Sequence, residues 1–421
     1  MRLHRVAITG IGVISPYGGD ARDFFERLLA GESAVRHLLV TQDLPRPMSH
    51  PFVSCAGFDA EAALGKPLAL MMERFAQLGV AAAFQAWEQA GLPRRPDEAQ
   101  GDEREAWGCI WGSALGGLEA HERGGRDLWV RGRDRVSPLS VVQGMNNAVN
   151  AHISIQLGLG GLSTSHTAAC ASSSIAIGEA FRRVRSGEAA VMVTGGSDVC
   201  QSYSVLRAWE AMRVMAPGDA DTAPVACRPF AADRAGLVLG EGGAALVLEA
   251  WDHAIARGAT IHGEIVGYGT SCDHSHLVRP HRQGQERALR AALDDAGLAP
   301  QEVGYVNAHG TATPEGDPVE VAALCAVFGD GARALPVSAT KSMHGHLLGA
   351  AGAIEAVATV LALREQAIPP TAHLAGRIDP ACEGVDHVLQ GRRHVPLRAA
   401  LSNSFAFGGS NAVLAFRAPP L

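Results

Sequence analysis

Aromatic residues make up only 5% of this 421-residue chain, and several other features are scarce or missing. No run of about 18 apolar residues occurs, so nothing reads as a membrane span. The stretch 349–363 comes nearest, but it carries Glu355. The first apolar run is short and meets Ser15-Pro16, which reads as a strand and turn, not as a secretory leader. No basic tract is present, and 36 cationic against 43 acidic side chains leave a net charge of −7. Nucleic acid is therefore not the expected partner. The eight cysteines stand singly without a CxxC pair, so neither a zinc site nor a disulfide framework is indicated. A reducing cytoplasm is the compartment these cysteines suit.

What the chain has in quantity is small and aliphatic residues. Hydrophobic residues reach 47% with 49 glycines, and the length ordinarily makes two or three domains. Few aromatics and much Ala and Gly favour an α/β protein with close helix–sheet contacts. A duplication is visible. A helical stretch ends in Gly91-Leu92, a polar loop follows, and a strand-like Cys109-Ile110-Trp111-Gly112 runs into Ser113-Ala114-Leu115-Gly116-Gly117. Later the helical Arg287 to Ala296 ends in Gly297-Leu298, then comes Gly304-Tyr305-Val306-Asn307 and His309-Gly310-Thr311. Alternating strand and helix signals predict parallel sheets with helices on both faces. Residues 118–160 read as an insertion.

One thiol stands out. Cys170 lies in Ser165-His166-Thr167-Ala168-Ala169-Cys170-Ala171-Ser172, directly before the helical Ile175 to Phe181. Small neighbours on both sides predict an exposed turn residue at a helix N-terminus. There the free N–H groups and the dipole are expected to pull the thiol pKa down towards neutrality. A nucleophilic thiol needs a basic partner, and two later segments offer one. They are Val306-Asn307-Ala308-His309-Gly310-Thr311-Ala312-Thr313 and Lys341-Ser342-Met343-His344-Gly345-His346. His344 is read as a structural histidine. Thr311 and Thr313 alternate on one side of what reads as an extended segment.

Taken in this order, these segments resemble the beta-ketoacyl-ACP synthases of the thiolase superfamily, closest to the synthase II type. Val6 to Pro16, Gly195-Gly196-Ser197-Asp198, Arg228-Pro229-Phe230 to Gly236, and Ser402 to Asn411 extend the resemblance over nearly the whole chain. It implies a thiolase-like fold of two stacked, duplicated βαβ halves in αβαβα layers, expected as 1–258 and 259–421. It implies a decarboxylative Claisen condensation of an acyl group on Cys170 with malonyl-ACP. Cys170, His309 and His346 are the matching triad, with Lys341 beside it and Glu355 as its acidic partner. The motifs assign the two imidazoles jointly, without dividing base and donor roles. The backbone N–H groups of Cys170 and Phe407 form the implied oxyanion hole. Thr311 and Thr313 match residues that bind phosphopantetheine. Leu115, Trp209 and the gating Phe407 match the acyl pocket, and Lys66, Arg135 and Arg213 match carrier-protein docking positions.

No metal or organic cofactor is implied, since substrates ride on the carrier's phosphopantetheine. The expected partners are an acyl carrier protein and a second subunit, either an identical chain or a chain-length-factor-like one. The dimer-forming strand is sought in the apolar Ala189 to Thr194. Two departures from the family pattern stand out. Ala406 replaces a usual Gly, and Lys66 alone is basic before Met71-Met72, with Asp134 in place of a usual base. They point from housekeeping fatty-acid elongation towards a specialised polyketide or aryl-polyene system. A non-catalytic chain-length factor and a Cys-His hydrolase are the other readings. The first lacks a nucleophile, and the second has no use for the Lys341–Gly349 motif.

Overall fold

Nine consecutive buried residues, Val6–Ile14, form the first strand, β1, at the middle of an 11-stranded mixed sheet. The structure, a computed structural model, describes residues 3–41, 44–94, 101–390, 393–394 and 396–420. On one side of β1 lie β2 (Gly108–Gly112), β3 (Ser163–His166), β4 (Val191–Asp198) and β5 (Gly242–Ala250), in the spatial order β3-β2-β4-β5-β1. The second half uses β6 (Gly263–Cys272), β7 (Tyr305–Asn307), β8 (Pro336–Ser338), β9 (Ala399–Phe405) and β10 (Ser410–Arg417), in the order β8-β7-β9-β10-β6. Strand directions match position for position. The outer pairs are parallel (β3/β2, β2/β4; β8/β7, β7/β9). The inner pairs are antiparallel (β4/β5, β5/β1; β9/β10, β10/β6). The duplication is thus real, but the sheets are mixed where the sequence pattern predicts wholly parallel ones. A short antiparallel seam, Val6–Ile8 against Gly263–Ile265, joins the halves edge to edge.

Four helices complete the layers. α1 (Arg74–Gln89) packs on β1, β4 and β5, and α3 (Arg282–Ala296) occupies the equivalent place on β6 and β10. Both stop as their sequences predict, with Gly91 and Gly297 in the left-handed region. α2 (Ser172–Ser186) and α4 (Ala351–Glu365) lie between the halves, touching each other and strands of both. A helix apolar on all sides belongs in such an interior, and α4 is buried from Ala351 through Leu363. Close approach depends on missing side chains. A Cβ on Gly112 or Gly196 would fall 2.4 Å from Ser173, inside the first turn of α2. This is the αβαβα thiolase-like arrangement.

The expected dimer strand is corrected here. β4, which contains most of Ala189 to Thr194, is paired on both edges, by β2 and by β5. Apolar strand residues suit a sheet interior as well as an interface, and here the interior took them. Among the described residues, the unpaired edge of this half is β3. Next to it, the insertion folds into short helices (Leu118–Gly125, Ser140–Gly144, Ala148–Leu157) and leaves Trp129 and Val130 85% and 80% exposed. Among the described residues, no helix is long and apolar enough to cross a membrane. All eight cysteines are free.

Candidate active site

Parallel strands end in loops that gather chemistry at one edge of a sheet, and the segments singled out in the sequence converge in this way. β3 leads through Ala169, a non-glycine residue at φ +46°, to Cys170, and α2 starts two residues later. His309 follows β7, and Lys341 follows β8 after two residues. His346 lies in the loop before α4, which carries Glu355. The left-handed Ala169 stores strain of order 1–3 kcal/mol next to the nucleophile candidate.

Cys170 is not the exposed turn residue expected. It is 6% exposed, at the floor of a cavity of about 430 Å³ lined also by His309, His346, Thr311, Thr313 and Phe407. Burial pushes its thiol up to about 11. The Lys341 charge and the N–H groups of Phe407 and of Cys170 itself pull the other way, and Asp198 adds to the rise. Desolvation therefore outweighs the helix terminus that the sequence makes obvious. One expected result follows. The rate at which iodoacetamide alkylates Cys170 should climb about tenfold per pH unit from 7 to 10, tracking thiolate. Peptide mapping that shows a plateau at or below pH 8 would contradict this.

The histidine geometry fixes hydrogen-bond roles. His346 Nε2 lies 3.0 Å from Cys170 Sγ. Its Nδ1 accepts the Leu348 N–H at 3.3 Å, so in the neutral ring the hydrogen is on Nε2. His309 Nδ1 faces Lys341 Nζ at 3.3 Å and accepts from it, so His309 also carries its hydrogen on Nε2. Both rings lie well below the ordinary histidine range, chiefly through burial and then through the Lys341 charge. Two neutral N–H donors thus meet at right angles, with ring centroids 5.5 Å apart. Cys170, His309 and His346 bring one ligand atom each within 4.8 Å of one another. Ligating a cation through Nε2 would force both rings to the other tautomer and cost the Leu348 and Lys341 bonds. Donation, not metal ligation, is what this arrangement favours.

Lys341 is fully buried and pairs with the equally buried Glu355, the partner that the family resemblance implies. Burial raises the Glu355 carboxyl to about 7, and Lys341 opposes the rise. His344 is the structural histidine anticipated. It is buried, with Nδ1 2.8 Å from the Gly345 carbonyl and Nε2 3.0 Å from Thr340 Oγ1.

Sequence reasoning missed three carboxylates. Glu320 accepts the N–H groups of His309 and Gly310, both at 2.8 Å, and the Asn403 amide at 3.1 Å. Asp317 accepts the N–H groups of Phe230 and Ala312. Asp198 accepts those of Ala114, Leu115 and Gly349. Each clamps a loop that carries a site residue. The available signal was an acidic i, i+3 pair, Asp317 and Glu320, directly after the His309 segment.

Thr311 and Thr313 share a hydrogen bond of 3.0 Å at the cavity wall. They meet because Ala312 adopts φ +66°, not because the segment is extended. Phe407 stacks on Trp209, with centroids 5.9 Å apart and planes 23° apart. Ala406 has φ −114°, a conformation any residue adopts, so the freedom of this turn resides in Gly408 and Gly409. Leu115 is not on the wall of the Cys170 cavity. It packs in an apolar cluster that also holds Trp209, Leu206 and Leu348. Arg213 lines the cavity, while Lys66 and Arg135 are exposed elsewhere and are not among its lining.

Comparison with known proteins gives a consistent result. The family described as Beta-ketoacyl synthase, N-terminal domain, matches residues 3–254, and its C-terminal domain matches 262–375. Nodulation protein E of Rhizobium sp. (strain N33) is 44% identical over 419 residues, covering 98% of this chain and 99% of that protein. The 3-oxoacyl-[acyl-carrier-protein] synthase 2 of Staphylococcus aureus (strain COL) is 39% identical over 415 residues, 98% of each. A beta-ketoacyl synthase from Burkholderia phymatum STM815 superposes with a TM-score of 0.88 at 35% identity, over 99% of this chain and 100% of that one. The ishigamide ketosynthase/chain length factor gives 0.88 at 32% identity, with the same coverage.

Proposed function

Because the chain belongs to the beta-ketoacyl synthase family, whose members condense acyl units in fatty-acid or polyketide synthesis, we propose that its condensation runs through Cys170 and the two neutral imidazoles. In the first half-reaction the Cys170 sulfur attacks an acyl-carrier thioester, and the proton the thiol gives up ends on the departing carrier sulfur. The N–H groups of Cys170 and Phe407, which face the sulfur, take the charge of the tetrahedral intermediate, and the carrier leaves as its thiol. In the second, malonyl-carrier loses carbon dioxide, and its thioester oxygen becomes an enolate. The Nε2–H groups of His309 and His346 donate to that oxygen. The resulting carbon nucleophile attacks the acyl-Cys170 carbonyl. The C–C bond forms, the C–S bond breaks, and beta-ketoacyl-carrier is released.

The carrying observation is the tautomer lock, Lys341 on one Nδ1 and the Leu348 N–H on the other, which leaves a hydrogen on both Nε2 atoms, with that of His346 3.0 Å from Sγ. A hydrolase would need one of these rings to accept a proton at Nε2 from the water that deacylates Cys170, and it gains nothing from two locked donors. The deciding experiment supplies acyl-carrier and malonyl-carrier together and reads the product by mass. A beta-ketoacyl-carrier two carbons longer than the primer is expected. Free acid alone would make the protein a hydrolase, and no turnover would make it an inert partner subunit.

The names of the relatives support carrier-bound substrates and a second subunit. The unpaired edge β3 and the exposed apolar residues of the insertion form the surface that a two-fold partner would cover. Light scattering should give twice the chain mass, or a one-to-one pair with a chain-length-factor-like chain. A fully active monomer at micromolar concentration would contradict this.

The acyl chain's path leads past Phe407 and Trp209 into the cluster around Leu115. Leu115→Gly should lengthen the primers accepted, read as a shift of kcat/KM towards longer acyl chains. An unchanged length profile would remove Leu115 from the pocket. The single basic residue before Met71-Met72, and the nodulation protein's higher identity, favour a specialised acyl chain over housekeeping elongation. Efficient turnover of saturated long chains on a generic fatty-acid carrier would return the protein to the housekeeping class.

A further inference from the structure

Two arginines line the Cys170 cavity together with Thr311 and Thr313, namely Arg213 and Arg279. Both are exposed, and among the described residues neither guanidinium has a hydrogen-bond or carboxylate partner. Arg207, Arg234 and Arg282, by contrast, each have one, in Glu210, Asp379 and Glu286. The loop that presents Arg279 is firmly built. The Asp273 carboxylate accepts the His281 N–H at 3.0 Å and the Asn411 amide at 2.6 Å. His276 Nδ1 accepts the N–H groups of both Val278 and Arg279 at 3.1 Å. The Leu277 carbonyl accepts the Gly408 N–H at 2.7 Å, which fastens this loop to the Phe407 turn.

Arg213 ends the helix Tyr203–Met212 in the left-handed region, at φ +57°, a conformation that costs a residue with a Cβ about 1–2 kcal/mol. The same helix carries Trp209, stacked on Phe407. Each arginine therefore sits on an element that touches Phe407 or the glycine that follows it. Four acids also line the cavity, and one of them, Asp273, is taken up by the His281 N–H and the Asn411 amide. Asp317 and Glu320 are occupied by backbone N–H groups, which leaves Glu315 as the exposed negative charge against two positive ones.

We propose that Arg279 and Arg213 bind the phosphate of the carrier's phosphopantetheine arm, so that the charge depleted around Lys66 is replaced at the cavity itself. The proposal rests on the reading of Cys170 as acyl acceptor. An arm whose thioester lies at Cys170 passes Thr311 and Thr313 and brings its phosphate out to the exposed arginines. A planar guanidinium fork matches two phosphate oxygens, which an ammonium cannot do.

The test compares two small acyl donors, acyl-phosphopantetheine and acyl-pantetheine, which differ by the phosphate alone. Acylation of Cys170 is followed by intact mass. The parent enzyme should prefer the phosphorylated donor by roughly 10- to 100-fold in kcat/KM, the scale of one charged hydrogen-bonded contact. In Arg279→Ala and Arg213→Ala this ratio should collapse towards one, through KM and not kcat, and Arg279→Lys should restore only part of it. Equal use of both donors by the parent, or an equal slowing of both donors in Arg279→Ala, overturns the proposal. So does a variant that keeps the phosphate preference but loses carrier-bound substrate, since it then reads the carrier's surface. If Cys170 takes acyl groups from neither donor nor from acyl-carrier, the nucleophile assignment itself falls.

Discussion

Cys170→Ala should abolish condensation while malonyl-carrier is still decarboxylated. The expected loss is at least about 10⁴-fold, the scale on which removing a covalent nucleophile is felt. No other described thiol is placed to substitute. Cys55, Cys109, Cys200 and Cys227 are buried and absent from the cavity lining, and Cys272 is exposed outside it. The two donor imidazoles do not depend on the thiol for position, because Lys341 and the Leu348 N–H hold them from behind. Carbon dioxide release from malonyl-carrier therefore persists in the variant. Loss of both activities together would mean that the thiol takes part in decarboxylation.

The reciprocal substitutions should separate the halves in the other direction. His309→Ala or His346→Ala should cut decarboxylation by roughly 10²–10³, the usual cost of one donor to a developing oxyanion. Some transfer of acyl groups to Cys170 should survive in both, because the oxyanion donors of that step are backbone N–H groups. His346→Ala should slow this transfer more than His309→Ala, since its Nε2 lies 3.0 Å from the sulfur. Carbon dioxide release measured with malonyl-carrier alone, beside intact-mass detection of acyl-enzyme, reads both halves. Decarboxylation at the parent rate in both variants would place the donors elsewhere.

Cys170, His309, Lys341 and His346 were legible in the sequence because each lies in a short run of small residues at or near a strand end. Such runs keep their meaning whatever surrounds them. Glu355 was legible only through the family resemblance, since by itself it reads as a lone charge on a helix face. Glu320, Asp317 and Asp198 were not legible. A carboxylate that gathers backbone N–H groups from a distant loop looks like any acid until the fold brings that loop to it. The thiol's acidity was misread for a related reason. The helix terminus is a local feature, whereas the burial that overrides it is tertiary. The apolar Ala189 to Thr194 was misplaced because alternation and hydrophobicity do not tell an inner strand from an edge strand. The five-strand order repeated in both halves, by contrast, was foreshadowed by the repeated helix stop and glycine-rich strand end.

The measurement that bears most directly on the account is the location of the acyl group. The parent enzyme is incubated with acyl-carrier alone, quenched, digested and mapped by mass. The account predicts close to one acyl group per chain, on the peptide containing Cys170, with little free acid. Acyl label on another residue, or steady release of free acid without an acylated Cys170, would contradict it.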